Sequence, residues 1–140
     1  MAYQIKRNKD IVEDIELLDE NGAAPIVIHV SIKLDAIAKD FRAVQLELVN
    51  AQQAINRKLP DAIEKYRLAV ISMLDLILGK DGAKTALEYF NDDVTEAAIQ
   101  IMPFVADVVK PAMEDYAKSR KAIIANNYNL NRRQKRKLGL

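Results

Sequence analysis

Between Pro25 and Pro60 the chain runs for 34 residues without a glycine or a proline. Its apolar rhythm divides this stretch in two. Ile26, Ile28, Val30 and Ile32 alternate with Val27, His29 and Ser31, the two-residue period of a β-branched strand. From there the rhythm becomes Leu34, Ile37, Phe41, Val44, Leu48, Ala51 and Ile55, with spacings of 3, 4, 3, 4, 3 and 4. Such a seam predicts one amphipathic helix of about 25 residues.

Upstream, Ile11, Ile15 and Leu17 punctuate a charged segment that ends in Asp19-Glu20-Asn21-Gly22. Asn-Gly is a strong turn signal because both residues tolerate positive φ. The N-terminal third therefore predicts a β-hairpin of two strands, or three if Tyr3 to Lys6 adds one. Pro25 stands at the entrance of the second strand, where a missing donor is tolerated. A sheet this small is marginal alone, so its apolar face must pack on helices.

Pro60 suits the first turn of a second helix. Between Asp61 and Leu78 that helix becomes apolar on nearly all sides, through Leu68, Val70, Ile71, Met73, Leu74, Leu76 and Ile77, which predicts deep burial. Gly79 ends it, and Asp81 caps a short helix reaching about Phe90. Asp93 and Glu96 have the spacing of a capping box. They open a helix whose apolar residues are Val94, Ala98, Ile101, Val105, Val108 and Ala112, spaced 4, 3, 4, 3 and 4. Pro103 and Pro111 interrupt this second seam. Each removes a backbone bond and crowds the carbonyl four residues back, costing about 3 kcal/mol unless the backbone relaxes. A bent helical run that keeps its seam register is expected. The asparagines between Asn126 and Asn131 should stop or fray it.

The expected fold is α+β and predominantly α-helical, with an N-terminal β-hairpin on a bundle of about four helices. One domain spans residues 1–127, divided into a hairpin region (1–32) and a helical region (33–127), and residues 128–140 form a basic flexible tail. With 140 residues, half of them apolar, the chain can bury a core. It has no cysteine, which rules out disulfides and thiolate metal sites. The opening residues lack an apolar core of signal-peptide length, and no apolar run spans a membrane, so a soluble intracellular protein is expected.

The net charge of +1 hides a segregation. Residues 1–116 carry 13 basic and 20 acidic side chains, a net of −7, whereas residues 117–140 carry eight basic and none acidic, a net of +8. Arg132, Arg133, Lys135, Arg136 and Lys137 concentrate that charge and are candidates for contact with phosphate or an acidic partner. Aromatic residues are not interleaved with them apart from Tyr128, so base stacking has little support and nucleic-acid binding is disfavoured.

No constellation for chemistry emerges. His29 is the single histidine, and the sequence gives it no orienting carboxylate or nucleophile. Gly79-Lys80-Asp81-Gly82-Ala83-Lys84-Thr85 is not a phosphate-binding loop, because Ala83 precedes the lysine and a helix, rather than a strand, leads in. Asp92, Asp93 and Glu96 are better explained as a helix cap than as a calcium site, which needs six or more oxygens. The expectation is a non-enzyme with no catalytic, cofactor-binding or metal-binding residues. Most of the two seams is expected to pack within the bundle, on each other and on the central helix, and the exposed part of Phe41, Val44 and Leu48 with Val105, Val108 and Ala112 is the candidate partner-binding surface. Self-association through the same seams would make a homo-oligomer.

Four segments carry a family likeness: Leu78-Gly79-Lys80-Asp81-Gly82-Ala83-Lys84, Leu87-Glu88-Tyr89-Phe90, Ile101-Met102-Pro103-Phe104-Val105, and Pro111 to Lys121. With the order of elements, they resemble the small tail assembly chaperones of long-tailed phages and prophages of Gram-positive bacteria. The resemblance implies a non-catalytic protein of the host bacterial cytoplasm that uses no cofactor. It would bind the helical tape measure protein, keep it soluble during tail assembly, and be missing from the finished particle. Many related genes also make a longer product by a ribosomal frameshift, and the basic tail lies where such an extension would start. Two alternatives are a nucleic-acid-associated phage protein acting through residues 128–140 and a structural virion protein that self-assembles through the seams.

Overall fold

The computed structural model describes residues 2, 4 and 10–137, with the side chains of 122, 123 and 126–137 outside the description. The elements are β1 (Ile11–Leu17), β2 (Ile26–Ile32), α1 (Leu34–Asn56), α2 (Ala62–Tyr89), α3 (Val94–Phe104), a π-helical turn (Val105–Val109) and α4 (Lys110–Lys137). The fold is mostly helical with an N-terminal two-stranded hairpin. A third strand from Tyr3 to Lys6 would lie outside the described residues.

β1 and β2 pair antiparallel, with Ile11 opposite Ile32, Ile15 opposite Ile28 and Leu17 opposite Ile26. Side chains alternate across a strand, so these pairs share one face. There Ile11, Leu17, Ile28, Val30 and Ile32 are buried. The connection is longer than the tight turn that Asn21-Gly22 suggests. Only Gly22 takes positive φ, at 80°. Asp19 organises the loop: its carboxylate accepts from the amides of Asn21 (2.9 Å) and Ala23 (3.0 Å). Short polar side chains fold turns in this way.

The helices form three runs rather than four. Gly79 does break the second helix, with φ 77° and ψ 165°. However, the helix resumes at once, so the expected short third helix is the second half of α2. Gly82 is more than punctuation. A Cβ there would lie 3.2 Å from Ile28 Cγ2 and 3.0 Å from Leu78 Cβ, so its bare backbone lets β2 approach α2 closely. α2 is central as expected and packs against α1, β2 and α3. Val70, Met73, Leu74 and Ile77 are buried, although Leu68 and Ile63 face solvent. Pro60 precedes the N-cap residue Asp61 and so lies just outside the helix.

The third run is continuous through both prolines. Phe104 (φ −61°, ψ −43°) and Lys110 (φ −59°, ψ −48°) keep right-handed helical backbone on either side of the π turn, and the Lys110 amide donates to the carbonyl of Val105, five residues back. The wider turn holds one extra residue between the prolines and gives the ring of Pro111 room. It also corrects the expected register. The buried positions are Val105, Val109 and Met113, whereas Val108 and Ala112 are half-buried. In an ideal α-helix a four-residue step overshoots a full turn by about 40°. The π turn absorbs that overshoot and moves the stripe by one residue. Downstream, α4 continues to Lys137, so the asparagines do not end it.

Asp93 caps α3 through a 3.1 Å bond from the Glu96 amide. The reciprocal half of the expected box is not made: the Asp93 amide donates instead to the carbonyl of Phe90.

Candidate partner-binding surface

The six seam residues singled out from the sequence face inward. Phe41 and Val105 are 4% and 6% exposed, and Val44, Leu48, Val108 and Ala112 are partly buried against the same core. They pack on the core of the chain, and of the six Phe41 also lines open surface. Periodicity locates an apolar stripe but does not say how much of it the rest of the chain covers.

Apolar surface stays open at the junction of α1 and α4. There the helices part and leave a groove of about 660 Å³. Ala38 and Phe41 line it from α1, and Met113, Tyr116, Ala117 and Ile124 from α4. Ile124 is 67% exposed. Lys39, Arg42, Lys110, Arg120 and Lys121 surround this floor, against two carboxylates, Asp35 and Glu114. The Arg120 guanidinium sits 5.5 Å from the centroid of the Tyr116 ring, which orients one of these cations. The signal for the α4 wall was present in the sequence, where the second seam runs on through Met113, Tyr116 and Ile124.

Two further depressions flank the core. One of about 460 Å³ lies between α1 and α2, lined by Ala51, Ala54, Leu59 and Leu68. The other, of about 640 Å³, lies under the hairpin loop, where Glu16, Asp19, Glu20 and Glu96 surround Leu18, Phe90 and Ile101. The Tyr89 hydroxyl donates to the Leu18 carbonyl beside it and ties α2 to the loop.

His29 has a carboxylate partner that the sequence did not reveal. Its Nδ1 is 2.7 Å from Asp14 Oδ1 across the strands, where the register sets the two residues opposite each other. Both side chains are exposed, at 79% and 58%. The pair lies on the outer sheet face, where it braces the hairpin as a cross-strand contact. Gly79 to Thr85 lie within α2 and form no phosphate cradle. Among the described residues, no group of three or more His, Asp or Glu side chains could hold a metal ion. No helix among them is long and apolar enough to cross a membrane. The backbone of Arg132, Arg133, Lys135, Arg136 and Lys137 belongs to α4, and their side chains lie outside the description.

Comparison with protein-family models, curated proteins and solved structures finds no match for this chain.

Proposed function

We propose that this chain is a non-catalytic helix-binding protein, a phage tail assembly chaperone that holds the tape measure protein soluble in the host bacterial cytoplasm. The observation that carries this reading is the open groove between α1 and α4. Its floor of Phe41, Met113, Tyr116, Ala117 and Ile124 is of the kind that accepts the apolar face of an amphipathic helix. A tape measure protein is a long helix whose apolar face needs such cover before the tail tube encloses it. The family likeness of Leu78 to Lys84 and of Ile101 to Val105 agrees with this. The contact residues are those of the groove, which keeps Phe41 from the seams.

Co-expression with the tape measure protein tests the reading. Wild-type chain should bring it into the soluble fraction, and Ala117→Asp with Ile124→Asp should lose it while keeping the helical circular dichroism of the wild type. Equal capture by both proteins would remove the groove from the mechanism. The competing reading, a nucleic-acid-associated protein, draws on the basic end of α4. It predicts salt-sensitive retention of DNA or RNA that disappears on truncation after Asn127.

A further inference from the structure

The rim of the α1–α4 groove specifies the chemistry of its occupant. Five cations and two carboxylates surround the apolar floor. Lys39, Arg42, Lys110, Arg120 and Lys121 are all exposed, so their charge acts on whatever enters. Two segments of the chain itself do not match. Residues 1–9 carry Lys6, Arg7 and Lys9 and no acid, and residues 125–140, which follow the last lining residue Ile124, carry five basic side chains and no acid. A second copy meeting the groove face to face would bring the same cations. Like charges across an interface are disfavoured, so each of these occupants is the wrong sign.

We propose that the groove takes an amphipathic helix of a different protein, one whose apolar stripe is flanked by Asp and Glu. The apolar stripe seats on Phe41, Met113, Tyr116 and Ile124, and the flanking carboxylates meet Lys39 and Arg42 on one bank and Arg120 and Lys121 on the other. Arg120, oriented by the Tyr116 ring, is in place before the partner arrives. The apolar floor supplies affinity, while the rim supplies orientation and selectivity. The inference deepens the proposed function, since it states which helices of a tape measure protein would be held.

The test uses the full chain and two synthetic helices of about 20 residues with the same Leu/Ala face. One has a polar face built on Glu, the other on Lys, and binding is read by fluorescence anisotropy. The Glu helix should bind about tenfold more tightly at about 0.1 M salt, and the preference should shrink at about 1 M, where the Debye length falls to about 3 Å. The variant Lys39→Glu, Arg42→Glu, Lys121→Glu changes exposed side chains only and should invert the preference. Equal or tighter binding of the Lys helix, an unchanged order in the reversed variant, or binding of neither helix would overturn the proposal. Tape measure capture that ignores rim charge would overturn this inference and leave the proposed function standing. Selective binding of the Glu helix without tape measure capture would do the reverse.

Discussion

Truncating Val109 and Val108 separately to alanine measures the register imposed by the π turn. Val109 is fully buried, whereas Val108, its neighbour, is half-buried. Removing two methyl groups from Val109 forfeits about 1.6 kcal/mol of burial, at about 0.8 kcal/mol per carbon. The cavity left behind, of about 50 Å³, adds about 1.2 kcal/mol if it does not collapse. Alanine returns about 0.5 kcal/mol through its higher helix propensity. The net loss is about 2 kcal/mol. At Val108 the burial lost is about half as large and opens to solvent, so propensity offsets most of it and the net falls below about 0.5 kcal/mol. Urea unfolding followed by far-ultraviolet circular dichroism resolves the difference. With a slope of about 2 kcal/mol per molar, Val109→Ala should move the midpoint down by about 1 M and Val108→Ala hardly at all. An uninterrupted heptad seam puts Val108 inside, so an equal or reversed ranking would refute the π turn.

Deleting the exposed Asp107 should convert the π turn to α-helix and set Val105, Val109 and Met113 at spacings of 3 and 4. The variant should melt cooperatively, whereas deleting the equally exposed Asp75 turns Ile77 and Leu78 by about 100° away from Val70 and Met73 and should unfold the protein. Gly79→Ala puts a side chain at φ 77°, ψ 165°, where the space is open but the backbone is strained. It should cost about 1–3 kcal/mol by thermal unfolding. Asp93→Ala removes the cap on α3 and should cost about 1 kcal/mol in the same assay, while Asp93→Asn should cost less.

The parts legible in the sequence were those set by local rhythm. Ile28, Val30 and Ile32 announce a strand with one buried face, and Leu34 to Ile55 announce a helix that the structure bounds at 23 residues. Asp93 was recognisable as a cap because the side chain and the amide it accepts from are three residues apart. Relations between distant segments were not legible. Asp14 meets His29 only because an eight-residue loop, residues 18–25, fixes the strand register. Gly82 reads as punctuation until Ile28 is seen against it. The helix count failed at Gly79 because one residue suffices to break α2, and no loop follows. Pro103 and Pro111 showed that the third run must relax somewhere, but a kink and a π turn both relieve the clash between each ring and the carbonyl that has lost its donor. The Lys110 amide bonded to the Val105 carbonyl, with Val109 and Met113 buried, separates them. The cover of the two seams was not legible for a related reason: an apolar stripe is visible in one helix, but what packs on it belongs to the others, and of the six seam residues Phe41 lines the groove.

The most direct measurement is co-expression of the chain with the longest helical protein encoded beside it. The wild type should yield a soluble complex that survives size-exclusion chromatography, and the folded Ala117→Asp, Ile124→Asp variant should leave the long protein insoluble. A long protein that stays insoluble with the wild type, or is held equally well by the variant, would contradict a helix-binding chaperone acting through the α1–α4 groove.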